Sequence, residues 1–148
     1  MTTLWAVSDL HAAVRVNGDR IDELVPPDPR DWLIVAGDVA ERIDLVLSTL
    51  ARLKNRYATV IWAPGNHELF SRGQDLYKGR DKYDRLVEGC REIGVITPED
   101  PFPVFGGVTV VPLFTLYDYS FRPPGTTVEH ALASAKQKQI CLLYTSPS

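Results

Sequence analysis

Cysteine is scarce in this sequence, with two residues in 148. Cys90 and Cys141 stand far apart, so they form neither a disulfide framework nor the paired spacing of a zinc site. Long apolar runs are also absent, since no stretch approaches the ~20 residues needed to cross a bilayer. The N-terminus has no basic start and reaches a carboxylate at Asp9, too early for a signal peptide. These absences favour a cytoplasmic protein without a membrane segment.

Runs of positive charge are missing as well. The formal net charge is −3, which disfavours nonspecific binding of nucleic acid through a basic face. No glycine-rich dinucleotide fingerprint, phosphate-binding loop or Gly-x-Ser-x-Gly elbow occurs, which argues against those enzyme classes. The composition that remains, 45% apolar and 24% charged, is that of an ordinary globular chain long enough for one domain.

Three short apolar runs alternate with helical patterns. Leu4–Val7, Trp32–Ala36 and Ala58–Ala63 are apolar nearly throughout, which predicts buried strands. Apolar residues at helical spacing follow the second and third runs. The first helical stripe comprises Ile43, Val46, Leu47, Leu50 and Leu53, and the second comprises Tyr83, Leu86, Val87 and Cys90. Strands alternating with helices predict an α/β domain with right-handed crossovers.

The sequence changes character after residue 100. Residues 103–113 form two β-prone runs around Gly106 and Gly107, which predicts a β-hairpin. The aromatic run at residues 114–121 is explained equally well by packing and by lining a substrate pocket. Val128–Ala135 predicts the start of another helix. No internal repeat or interdomain linker is present.

Each of the three predicted strands ends in side chains that are able to hold a metal. Asp9 and His11 follow the first strand, Asp38 follows the second, and Asn66 and His67 follow the third. The carboxyl ends of strands in an open α/β sheet converge on the edge where ligands bind. We therefore expect these oxygen and nitrogen donors to form one site.

Taken singly, each of these residues has an ordinary structural explanation. Asp9 and Asp38 suit helix N-caps, Asn66 suits a tight turn, and His67 suits a hydrogen-bonded structural histidine. Those explanations would have to hold at three strand ends at once, so the shared site is the better interpretation.

Two acidic residues lie close to the same motifs. Glu68 either orients a ligand as an outer carboxylate or begins a helix, and the second interpretation is favoured. Glu41 is interpreted as an acidic residue in the first turn of a helix. His130 lies far from the motifs and is expected at the surface.

The strand-end motifs together resemble those of the calcineurin-like metallophosphoesterases in both order and spacing. The motifs are Asp9-x-His11, Gly37-Asp38 and Gly65-Asn66-His67-Glu68. The resemblance is clear from residue 4 to about residue 68. It implies the N-terminal half of that family's αββα sandwich, and hydrolysis of phosphate mono- or diesters by metal-activated water.

The resemblance also implies a role for each residue. Asp9 and His11 would hold the first metal, Asp38 would bridge two metals, and Asn66 would bind the second through its amide oxygen. His67 would not be a ligand, but would face the substrate phosphate and stabilise or protonate the leaving group. Mixed oxygen and imidazole donors suit two divalent ions such as Mn, Fe or Zn. The implied partner is a phosphate-ester substrate.

The same resemblance implies ligands that this chain lacks. The family carries further histidines downstream, whereas this chain has three in all, His11, His67 and His130. We therefore expect residues 1–138 to be a partial domain that exposes apolar surface, binds at most one metal weakly and has negligible turnover. A non-catalytic metal- or phosphate-binding protein on the same scaffold is the alternative.

Residues 139–148 lack charge and periodicity, resemble a translated sequencing adapter and are expected to be a non-native tail.

Overall fold

The computed structural model describes residues 1–71, 75–115 and 122–137 of the chain. Contacts divide the chain into two compact units, Met1–Phe114 and Thr115–Ser148. The predicted boundary at residue 138 and the predicted tail at 139–148 lie outside the described residues, as does most of the aromatic run.

A parallel sheet forms the centre of the Met1–Phe114 unit. Its strands β1 (Leu4–Val7), β2 (Trp32–Ala36) and β3 (Thr59–Ala63) lie in the order β1-β2-β3, and both pairings are parallel. Ile96 adds a parallel bridge to Ile61 beyond β3. All three carboxyl ends therefore point to one edge, and the predicted α/β fold is confirmed.

Four helices accompany this sheet: α1 (Arg15–Glu23), α2 (Ile43–Lys54), α3 (Asn66–Leu69) and α4 (Gly79–Glu92). The two predicted stripes lie on α2 and α4, and their central residues are buried. A Cβ added to Gly89 on α4 would lie 2.4 Å from Leu47 Cδ1. The glycine therefore allows α4 to pack closely against α2.

The first strand differs from the prediction of a buried strand. Trp5 and Ala6 are exposed on β1, whereas Val60, Ile61, Trp62 and Ala63 are all buried on β3. The physical reason is covering, because β1 and β3 both end the three-stranded sheet, but β3 is covered by α2 and by the segment at Ile96. An apolar run predicts a strand but does not say how many of its faces are covered.

The predicted hairpin is present but short. Its strands β4 (Val104–Phe105) and β5 (Val108–Thr109) pair antiparallel, with Val104 opposite Thr109. Gly106 and Gly107 form the turn with φ values of 57° and 85°, the left-handed conformation that this tight turn requires.

The Thr115–Ser148 unit contains α5 (Val128–Gln137), which begins where the sequence predicted. His130 on this helix is exposed, as expected. Across the described residues of both units, no helix combines the length and apolarity needed to span a membrane.

Candidate metal centre

The turns that follow β1 and β2 are joined by backbone hydrogen bonds. The amide of Asp9 donates to the Gly37 carbonyl at 3.2 Å, and the amide of His11 donates to the Asp38 carbonyl at 3.0 Å. The amide of Ala12 continues the series with a bond to the Val39 carbonyl at 2.8 Å. These bonds join the two turns beyond the carboxyl ends of the strands.

Three candidate ligands adopt left-handed backbone conformations within these turns. The φ values are 56° at Asp9, 41° at His11 and 56° at Asp38. Aspartate and histidine tolerate this region better than most residues, but each such position still costs of the order of 1–3 kcal/mol. Strain of this kind concentrates at functional sites, where the surrounding structure holds the backbone in place.

Glycines let the second and third turns approach closely. A Cβ added to Gly37, where φ is 77°, would lie 2.5 Å from the Gly65 backbone nitrogen. A Cβ added to Gly65 would lie 2.2 Å from Asp38 Oδ1. Neither position has room for a side chain, so both glycines are required by the contact between the turns.

These turns bring candidate residues from all three strand ends together. Ligand atoms of His11, Asp38 and His67 lie within 4.8 Å of one another, and all three residues are half-buried. The rings of His11 and His67 meet edge to face with centroids 4.7 Å apart. The amide of His67 donates to Asp38 Oδ1 at 3.1 Å. Asp9 Oδ1 lies 3.8 Å from His11 Nε2.

Asn66 is the first residue of α3, directly between Gly65 and His67. It is half-buried, and its carbonyl accepts a hydrogen bond from the Phe70 amide at 2.9 Å. The strand-end turns thus carry all five predicted residues, and the cluster of close ligand atoms comprises three of them.

The donor set fits a divalent metal ion. A carboxylate and two imidazoles converge from three separate turns, with the carboxylate of Asp9 beside one imidazole. Such mixed oxygen and nitrogen donors suit Mn, Fe or Zn. The partial exposure of the cluster leaves it accessible to an ion and to a substrate.

Glu68 joins the second and third turns through hydrogen bonds to their backbone amides. It is fully buried on α3. Its Oε2 accepts hydrogen bonds from the amides of Asp38 at 3.0 Å and Gly65 at 2.9 Å, and its Oε1 accepts one from Val39 at 2.7 Å. Burial raises the pKa of Glu68, and the backbone donors oppose that rise. The sequence favours a helix start for Glu68 over an orienting carboxylate; Glu68 does lie in α3, but its hydrogen bonds agree with the less favoured alternative.

Glu41 is placed differently from the prediction. The sequence predicts it in the first turn of a helix, but α2 begins at Ile43 with Arg42 as its N-cap. The carboxylate of Glu41 instead faces the cluster, with Oε1 3.6 Å from His67 Nδ1. The earlier interpretation was wrong because the chain completes the turn after Asp38 before the helix starts.

Comparisons with known proteins agree with this geometry. A family model described as calcineurin-like phosphoesterase matches residues 2–142. The chain is 50% identical over 145 residues to the acyl-carrier-protein phosphodiesterase PptH of Mycobacterium tuberculosis, an alignment that covers 93% of this chain and 45% of that relative.

The same likeness extends to three dimensions. The crystal structure of phosphopantetheinyl hydrolase (PptH) from Mycobacterium tuberculosis matches with a TM-score of 0.85 and 46% identity. That match covers 99% of this chain and 56% of the other. The chain therefore spans about half the length of the relatives that it matches.

Proposed function

The chain belongs to the calcineurin-like phosphoesterase family, and from that premise we propose that it forms part of the active centre of a metal-dependent phosphodiesterase. The observation that carries the proposal is the convergence of His11, Asp38 and His67, whose ligand atoms lie within 4.8 Å of one another. Backbone hydrogen bonds join the turn of His11 to the turn of Asp38. The two glycines and Glu68 join the turn of Asp38 to that of His67.

The proposed substrate is the phosphodiester that links phosphopantetheine to an acyl carrier protein. Support comes from the relatives, since the similar proteins are an acyl-carrier-protein phosphodiesterase and a phosphopantetheinyl hydrolase. Hydrolysis adds water across one phosphorus–oxygen bond of the diester and yields a monoester and an alcohol. We also propose a cytoplasmic location, because the protein must be in the same compartment as its acyl carrier protein substrate.

Each proposed residue has a defined task. Asp9 and His11 would hold a first metal ion, Asp38 would be shared with a second, and the amide oxygen of Asn66 would help to hold the second. When bound, two such ions supply an acidified water and neutralise charge on the phosphoryl oxygens. The chain itself orients these ligands, through the left-handed turns and through the hydrogen bonds around Asp38.

His67 donates a proton to the departing oxygen in this proposal. The carboxylate of Glu41, 3.6 Å from Nδ1, favours a proton on that nitrogen and leaves the other ring nitrogen for the substrate. The cluster geometry also suits His67 as a third metal ligand. Substitution by phenylalanine, which keeps an aromatic ring but offers no ligand atom, separates the two roles. Loss of turnover with Mn²⁺ affinity retained supports proton donation, whereas loss of both indicates a ligand.

A chimaera tests the proposed function directly. Residues 1–115 of this chain replace the matching part of Mycobacterium tuberculosis PptH, and release of phosphopantetheine from a loaded acyl carrier protein is measured. We expect turnover, and a loss of at least about 100-fold on Asp38→Asn, because that change removes a carboxylate shared by both ions. A folded chimaera without turnover would contradict the proposal.

The 148-residue chain is expected to behave differently from that chimaera. It contains three histidines in total, so it offers few of the imidazole ligands that two ions need. We propose that it binds at most one metal ion weakly and turns over negligibly. Metal analysis after equilibrium dialysis checks this, and two tightly held ions per chain would refute it. Binding of metal and phosphate by both chain and chimaera, with turnover by neither, would instead support the non-catalytic alternative.

A further inference from the structure

Lys82 is a buried lysine that the proposed reaction does not use. It lies on α4 and is 3% exposed. Its Nζ donates to the Glu41 carbonyl at 2.6 Å and also to the Phe70 carbonyl. Burial lowers the pKa of Lys82, and neighbouring carboxylates oppose that change. An ammonium group is seldom buried without such partners.

The two carbonyl acceptors belong to different turns of the candidate site. Glu41 lies three residues after Asp38, between β2 and α2, and Phe70 ends α3, three residues after His67. One ammonium group therefore joins α4 to both segments. Glu68 joins the beginnings of the same turns through the Asp38 and Gly65 amides. The loops are thus held at two points by buried groups of opposite charge.

The backbone held by Lys82 carries the carboxylate that faces His67. Glu41 offers its carbonyl to Lys82 and its Oε1 to His67 Nδ1 at 3.6 Å. Removing the ammonium group frees the Glu41 backbone at the point where α4 restrains it. The side-chain position of Glu41 relative to His67 then depends on a loop that has lost one of its restraints.

We propose that Lys82 is a positioning residue that holds Glu41 against His67 by binding the backbone of both turns. This inference rests on the proposed function for its catalytic consequence, but its structural part stands alone. A lysine suits the task because one ammonium group presents three donors in different directions and serves carbonyls from two segments at once.

NMR of the imidazole nitrogens tests the structural part in the 148-residue chain without metal. His67 is assigned by its loss in a His67→Gln variant, and its tautomer ratio is measured at one pH where the ring is neutral. We expect the form protonated on Nδ1 to predominate. In Lys82→Met the ratio should move toward that of Glu41→Ala, because both changes remove the carboxylate from Nδ1.

Leu86→Ala is the matched control. It opens a cavity under the same helix, where Leu86 is fully buried, but Leu86 makes no hydrogen bond to either turn through its side chain. It should lower stability and leave the His67 tautomer ratio unchanged. An unchanged ratio in Lys82→Met, or the same change in Leu86→Ala, overturns the proposal. If Lys82→Met does not fold, Lys82→Leu, which also lacks a donor, is measured against the same control and judged by the same outcomes.

The catalytic consequence is read separately in the PptH chimaera. Lys82→Met should lower kcat about 10-fold to 100-fold, the range found for groups that orient site residues, with KM little changed. The loss should be smaller for an ester with a good leaving group, which needs less protonation. A chimaera that is inactive even without the substitution refutes the proposed function, while the NMR comparison still decides the role of Lys82. An equal loss on both kinds of ester refutes positioning for proton donation.

Discussion

Single residues in the strand-end turns adopt conformations that would be unfavourable elsewhere. Asp9, His11 and Asp38 each have positive φ without being glycine. Their cost, of the order of 1–3 kcal/mol each, is offset by hydrogen bonds that pair the turns, such as the one from the His11 amide to the Asp38 carbonyl. The three residues thus adopt a backbone that costs folding free energy, and this backbone fixes the donor atoms in the arrangement that a metal centre would require.

The contact between Gly65 and Asp38 gives a first test of this arrangement. In Gly65→Ala the new Cβ would lie 2.2 Å from Asp38 Oδ1 and 2.7 Å from the Asp38 nitrogen. We expect the loss of about 1–3 kcal/mol typical of overpacking, measured by urea denaturation. Mn²⁺ binding in the PptH chimaera should weaken as Asp38 is displaced.

Gly18→Ala is the control for that substitution. Gly18 lies within α1, and a Cβ there would meet nothing within 4 Å. Alanine should therefore raise the free energy of unfolding by about 0.5–1 kcal/mol through helix propensity alone. Equal destabilisation by the two substitutions would mean that the contact with Asp38 is unimportant.

Glu68 gives a second test at the residue scale. Glutamine keeps its size but replaces one acceptor oxygen by a donor, which then faces amide N–H groups that the carboxylate now accepts from. We expect Glu68→Gln to lower the free energy of unfolding by about 1–3 kcal/mol. Mn²⁺ affinity in the chimaera should fall about 10-fold to 100-fold.

Glu88→Gln provides the comparison, because Glu88 is exposed on α4 and pairs only with Arg85 in the described contacts. Its effect on unfolding should stay within about 0.5 kcal/mol. A Glu68→Gln protein as stable as Glu88→Gln would show that the buried hydrogen bonds do not hold the turns.

At the residue scale the sequence pointed to the candidate side chains but not to what holds them. Asp9, His11, Asp38, Asn66 and His67 were visible because each follows an apolar run. Lys82 lies far along the chain on a helix face and has no motif. Its role depends on two backbone carbonyls that only the folded chain brings together.

Among the elements, β1 depends on a side chain outside the strand. Asp31, which is 1% exposed, accepts hydrogen bonds from the Thr3 amide at 2.7 Å and from Trp5 Nε1 at 2.9 Å. The bond from Trp5, and then that from Thr3, lowers the pKa of Asp31. An edge strand with exposed residues is thereby fixed to the segment that leads into β2.

This arrangement predicts a pH dependence of stability. Because the folded pKa of Asp31 is lowered, its contribution is present above the unfolded pKa and is lost as pH falls through the folded pKa. Asp31→Asn should therefore lower the urea midpoint at neutral pH, and the difference from the unaltered chain should shrink below about pH 4. Trp5→Phe removes the largest cause of the lowered Asp31 pKa but keeps the carboxylate. Its urea midpoint should therefore differ less from that of the unaltered chain than the midpoint of Asp31→Asn does. Parallel curves for the unaltered chain and Asp31→Asn would contradict this account.

Elements with strong periodicity were predictable and weakly patterned ones were not. The stripes on α2 and α4 place Val46, Leu50, Leu86 and Cys90 in the core, and both helices were expected. In α1 the buried residue is Ile21, so the segment lacks the apolar stripe that would predict a helix. Burial by neighbouring elements decides such cases, and it is not readable from the segment itself.

At the scale of the whole molecule, apolar exposure is the main feature of the Met1–Phe114 unit beyond its site. Several large side chains near its end are more than two-fifths exposed, among them Phe102, Val104, Val108, Val111 and Leu113. Exposed apolar side chains concentrated in one segment favour association. The net charge of −3 provides little repulsion against it.

We therefore expect the 148-residue chain to self-associate as its concentration rises, as measured by sedimentation velocity. Val104→Thr combined with Val108→Thr should reduce association, because it removes apolar surface from the exposed hairpin while keeping net charge and β-branching. Thr109→Val should increase association, because it adds an apolar side chain to an exposed position of β5. Because valine and threonine are both uncharged and β-branched, these substitutions change the polarity of the hairpin surface and leave net charge and strand propensity nearly the same. If all three proteins associate equally, the hairpin is not the associating surface, and the exposed edge at Trp5 becomes the next surface to alter.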